Sequence, residues 1–99
     1  FGAPAAFFFA IDRQMGPGQW AHMGMLMQTI ALVAEEKGLA TCMQEAWARQ
    51  HGFVRRFFGV PDELQLYCGL AVGHADAAAP INGWRTERAG VDEIATFFS

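Results

Sequence analysis

Basic residues are few in this sequence: seven Lys and Arg face ten Asp and Glu, for a net charge of −3 and a pI near 5.5. That balance argues against a nucleic-acid-binding domain, which carries a basic face. No block of like charges marks an interaction tail. No basic-then-apolar leader opens the chain, so no signal peptide is expected in these residues. The longest near-apolar run, Trp20 to Ala34, contains His22 and Gln28 and falls short of the about 20 residues a membrane span needs. Neither a nucleic-acid nor a membrane partner is therefore expected. Cysteine is scarce too. Cys42 and Cys68 lie far apart, without CxxC spacing or histidines at zinc spacing. They read as two buried free thiols in a reducing cytoplasm. The GxSxG, GxxxxGK[ST], HExxH and helix-opening GxGxxG signatures are absent. Gly16-Pro17-Gly18 reads as a turn, and His22, His51 and His74 as packed or surface histidines.

Apolar residues are abundant: 53% of the chain, against about 45–50% in average globular domains. Ninety-nine residues form at most one small domain, whose surface-to-volume ratio leaves much of that apolar area uncovered. Some of it is expected to pack on a second copy, on another part of the same protein, or on both. The chain opens at Phe1 and enters an apolar run at once, which reads as the loss of an upstream portion.

The run Ala5 to Ile11 is continuously apolar and predicts a strand covered on both faces, with Pro4 at its start. Met15 to Gly18 predicts a loop. Gln19 to Lys37 predicts a helix closed by Gly38, with Trp20, Met23, Met27, Ile30 and Ala34 in one stripe. Ala21, Met25, Leu32 and Val33 fall on other faces, so this helix is expected to be buried all round and to meet a partner. Leu39 to Glu45 predicts a semi-extended link. A second helix is expected over Trp47 to Phe58, with Trp47, His51, Val54 and Phe58 on one face and Arg49 and Arg56 in solvent. Leu64 to Val72 predicts a strand with Leu64, Leu66, Cys68, Leu70 and Val72 on one face. Gly73 to Pro80 predicts a turn, and Asn82 to Ser99 an extended tail.

Two features can carry chemistry. The segment Gly38 to Ala46 lies between helices, where backbone is held rigidly; it reads either as an ordinary crossover or as the edge of a flavin site, where a fixed N–H sets the electronics of the ring. Arg85 and Arg88, three apart in the tail, read either as solvated side chains or as a phosphate grip.

Four passages, in this order, resemble the nitroreductase family: the strand Ala3 to Asp12; the helix end Leu32 to Cys42; Gly59-Val60-Pro61 with the strand end Gly69 to His74; and the terminal Arg85 to Glu93. The resemblance spans essentially the whole chain. It implies an α+β fold, a mostly antiparallel sheet flanked by helices, with a long central dimer-interface helix and an extended C-terminal arm reaching the partner. It also implies FMN as cofactor, NAD(P)H as electron donor, a homodimer, a cytoplasmic setting, and small acceptors such as nitroaromatics or quinones. It places the flavin against the backbone of Met43, Gln44, Glu45 and Ala46, and the FMN phosphate near Arg88, with Arg85 second. No side chain here is implied as catalytic acid or base. Met43 and Ala46 depart from the family's Pro-x-Glu-Gly, and the Arg-rich opening that grips the phosphate and ribityl chain has no counterpart here. The chain is therefore expected to supply about half of one site and to be inactive alone. The competing expectation is a truncated, non-catalytic dimerisation module.

Overall fold

The computed structural model describes residues 2–98; Phe1 and Ser99, the ends of the expected partial domain over 1–99, lie outside the described residues. In chain order come β1 (Ala5–Asp12), α1 (Pro17–Glu36), β2 (Ala40–Gln44), a 3-10 helix (Glu45–Gln50), α2 (His51–Phe58) and β3 (Leu64–Gly73). Single helical turns, α3 (Pro80–Gly83) and α4 (Val91–Ile94), interrupt an otherwise extended C-terminal arm. The strands form one antiparallel sheet in the order β1-β3-β2. Helix α1 packs on one face, and α2 with the 3-10 helix packs on the other. This is the α+β arrangement the resemblance implied.

β3 is central because its sequence suits burial: Leu66, Cys68 and Leu70 are all buried, and Leu70 has no exposed surface. Phe9, Met27, Cys68 and Leu70 form the core between sheet and α1, with Met23, Ile30, Tyr67 and Val72 around them. The expected α1 stripe is therefore the packed one. Trp20 closes its near end, with its ring edge-on to Tyr67 at 5.3 Å. The other faces of α1 stay open: Met25, Leu26, Leu32 and Val33 are exposed, so burial all round is not achieved within one chain.

α1 begins at Pro17, two residues before the expected start, because proline has no N–H to lose at the first helical position. Its end follows expectation. Gly38 takes φ +70°, its N–H reaches Glu35 O at 2.9 Å, and Leu39 N–H reaches Ala34 O at 2.9 Å. These two bonds satisfy the last-turn carbonyls in a Schellman closure.

Four further expectations are corrected. The link Leu39 to Glu45 is largely a strand, β2, because pairing with β3 satisfies its backbone. The second helix starts earlier, as 3-10 geometry from Glu45, and becomes α-helical only at His51. β1 is an edge strand whose first residues are uncovered, with Phe7 half exposed. Finally, β3 does not keep one apolar face. Phe9 pairs with Cys68 but Ala10 pairs with Leu66, so Tyr67 is an extra, bulged residue. The bulge turns Leu64 and Leu66 toward the α2 side, while Cys68, Leu70 and Val72 face α1. Beside it, Leu66 N–H donates to His51 Nδ1 at 3.3 Å, while His51 Nε2 lies 2.7 Å from Arg13 Nη2.

Among the described residues, neither α3 nor α4 makes more than slight contact with the sheet or with α1. The radius of gyration is 16.6 Å, against about 13 Å for a compact domain of this length. Trp84, Ile94, Phe97 and Phe98 are exposed along it.

Candidate functional site

The site begins where β2 ends. Met43 and Gln44 pair with Leu70 and Gly69 of β3, so their backbone is fixed by the most buried strand of the sheet. Glu45 and Ala46 then open the 3-10 helix. By helix geometry their N–H groups have no partner inside it, and the preceding Gln44 side chain does not cap it. Glu45 and Ala46 are exposed, between two open clefts. One, of about 570 Å³, is lined by Cys42 to Trp47 and Gln50. The other, of about 590 Å³, is lined by Trp20, Glu45, Ala46, Ala48, Arg49 and Gln65 to Tyr67. Volumes of this order suit a small-molecule or cofactor site. The segment thus combines a backbone anchored on β3, N–H groups without a partner inside the helix, and adjoining space.

The Gln44 side chain is turned away from capping because its Oε1 accepts the Trp47 Nε1–H at 2.8 Å. Trp47 lies over Gly69, which has no side chain; a Cβ there would sit 2.5 Å from Trp47 Cδ1. Phe8 meets the same indole edge-on at 5.3 Å. Phe8 and Gln44 are both register partners of Gly69, so the three occupy one row across the sheet. The sequence reading placed Trp47 on a helix face and missed this role. The available signals were a glycine in the middle of a strand and a Gln three residues before a Trp.

Met43, Gln44, Glu45 and Ala46, the residues expected beside the flavin, lie at the end of β2 and the start of the 3-10 helix. Arg85 and Arg88 are not brought to them. Both are exposed on the arm, and neither lines the clefts beside Glu45. Arg88 donates to Thr86 Oγ1 and to the Glu87 carbonyl, at 2.9 Å for the latter, within its own stretch of chain. Arg55 pairs with Asp62 instead of approaching the clefts. Cys42 is exposed, not buried as the sequence suggested, because it sits on an edge strand; Cys68 is buried, and both are free thiols. Among the described residues no cluster of His, Cys, Asp or Glu is arranged to hold a metal, and no helix is long and apolar enough to cross a membrane.

Comparison with known proteins adds three findings. Residues 1–74 match the model of the nitroreductase family. Among curated proteins, the chain is 35% identical over 88 residues to a 4-nitrobenzoate reductase of Pseudomonas putida, spanning 89% of this chain and 39% of that protein. It is 32% identical over 97 residues to a nitrobenzene nitroreductase of Ectopseudomonas oleovorans, spanning 98% of this chain and 43% of that protein. Among solved structures, the FMN- and NADPH-dependent nitroreductase NfnB from Sphigopyxis sp. strain HMH superposes with a TM-score of 0.95 at 46% identity, over 99% of this chain and 44% of that one. The FMN-dependent NfnB of Mycobacterium smegmatis, solved with NADPH, gives a TM-score of 0.94 at 31% identity, over 99% and 44%. The chain thus spans less than half the length of these relatives.

Proposed function

The chain belongs to the nitroreductase family, and from that membership we propose that it forms the C-terminal half of an FMN-dependent oxidoreductase passing electrons from NAD(P)H to nitroaromatic, quinone or related small acceptors. The observation that carries this reading is the placement of Met43 to Ala46, a backbone segment anchored on β3 and open to two clefts. Bound FMN would supply the two-electron chemistry. The residues present fit it at one edge. The N–H groups of Glu45 and Ala46 would be free to donate to an acceptor atom of the ring, and Met43, Ala46 and Trp47 would offer apolar surface to its face. Arg88, and Arg85 second, would hold the FMN phosphate, carried to it by the arm of a second copy in a homodimer. The open face of α1, with Met25, Leu26, Leu32 and Val33, is the surface on which that second copy packs.

The rest of the site lies outside these residues, because the Arg-rich segment of the family has no counterpart here. A second reading, a dimerisation module without catalysis, is favoured by the open apolar face of α1. An FMN titration followed by flavin fluorescence separates the two. Saturable binding, weakened roughly tenfold by Arg88→Ala through loss of a charge-assisted contact, supports the enzyme half-site. Absence of saturable binding refutes it for this chain and leaves the module.

A further inference from the structure

The geometry points to Trp47 as a positioning residue for the cofactor-facing segment, an inference that rests on the reading of Met43 to Ala46 above. Gly69 is buried in the central strand, and its register partners on either side are Phe8 on β1 and Gln44 on β2. In an antiparallel sheet such partners project to the same face. The row therefore has side chains at both ends and a gap one side chain wide over β3. The Trp47 indole fills that gap. Its Cδ1 lies where a Cβ of residue 69 would intrude, at 2.5 Å, and Phe8 abuts it edge-on with centroids 5.3 Å apart. With two walls and a floor, the ring has little freedom to rotate.

Its one polar atom, Nε1, then points along the row to Gln44 Oε1 at 2.8 Å. That bond closes a loop of four residues, Gln44 to Trp47, whose middle members are Glu45 and Ala46. Both ends of the loop are thus tied to β3: Gln44 by strand pairing, and Trp47 by insertion over Gly69. Trp47 and Gln44 also wall the cleft on each side, the one lined by Cys42 to Ala46 and the smaller one lined by Ala6, Phe8 and Gly69 to Ala71. The indole therefore sets where the Glu45 and Ala46 N–H groups stand and blocks their retreat into the sheet. Trp47 touches no reacting atom; it acts through the backbone it holds.

The test uses Trp47→Phe, which keeps an aromatic ring over Gly69 and beside Phe8 but removes the N–H donor, and Gln44→Leu, which removes the acceptor. Backbone order parameters of Glu45 and Ala46 are measured by 15N NMR relaxation on the protein without flavin. Both variants are expected to lower them from roughly 0.85, the value of rigid backbone, toward roughly 0.6, with β3 unchanged. The double variant is expected to be no more mobile there than either single one. Unchanged order parameters at Glu45 and Ala46 in Trp47→Phe overturn the inference, whether or not FMN binds. Where the wild type binds FMN, Trp47→Phe is expected to weaken binding by roughly threefold to tenfold and to alter the absorbance spectrum of the bound flavin; identical affinity and spectrum also overturn it. Failure of the wild type to bind FMN refutes the functional reading alone, since the order parameters still decide the role of Trp47.

Discussion

Replacing Gly69 with alanine tests the packing that organises the candidate site. The new Cβ would lie 2.5 Å from Trp47 Cδ1, 3.3 Å from Cγ and 3.2 Å from Nε1, whereas carbon atoms pack best at about 3.5–4.0 Å. The indole must therefore retreat by roughly 1 Å. It cannot slide along the sheet, because Phe8 stands on one side and its bond to Gln44 holds it on the other. Overpacking of this kind destabilises by about 1–3 kcal/mol. Alanine also restricts the unfolded chain, which offsets about 0.4–1 kcal/mol, and the strand backbone at Gly69 accepts it without strain. The net expectation is a loss of about 1–2 kcal/mol, or a melting temperature lower by roughly 4–16 °C. Thermal unfolding followed by circular dichroism measures it. Adding Trp47→Leu in the G69A background should then cost less than Trp47→Leu alone, since the steric conflict is gone. A melting temperature equal to or above the wild type would refute the reasoning and mean that the ring is not seated over β3.

Other expectations follow from the same structure. Gly38→Ala places a side chain at φ +70°, where it costs about 1–2 kcal/mol, and should lower the melting temperature although no atom lies near the new methyl. Leu70→Ala, at a position with no exposed surface, should remove about 2–5 kcal/mol in urea unfolding. Leu32→Glu, on the open face of α1, should lower the apparent mass in light scattering while leaving the fold intact by circular dichroism; a wild type that is already monomeric at micromolar concentration would contradict the proposed homodimer.

Much of the fold was legible because the strongest signals are local. The run Ala5 to Ile11 and the stretch Leu64 to Val72 are apolar over strand lengths, and both are strands within one residue of expectation. The α1 stripe was readable from its spacing, and Gly38 from its place after the last turn. The segment Met43 to Ala46 was reached through resemblance, since nothing in its composition marks it. What failed was whatever depends on a neighbour. β2 is a strand only because β3 offers an edge. Leu66 changes face only because Tyr67 bulges out of register with β1.

The sequence by itself determined β1, α1 and β3, the covered face of α1 and the family, because periodicity, capping glycines and ordered motifs are properties of one chain read along its length. The tertiary structure decided that Gly69 sits between Phe8 and Gln44, and that the indole of Trp47 enters the gap this leaves. Those residues are up to 61 positions apart in sequence (8 to 69), and only strand pairing and register bring them into one row. Side-chain insertion between strands depends on distances in space, and no spacing along the chain encodes it.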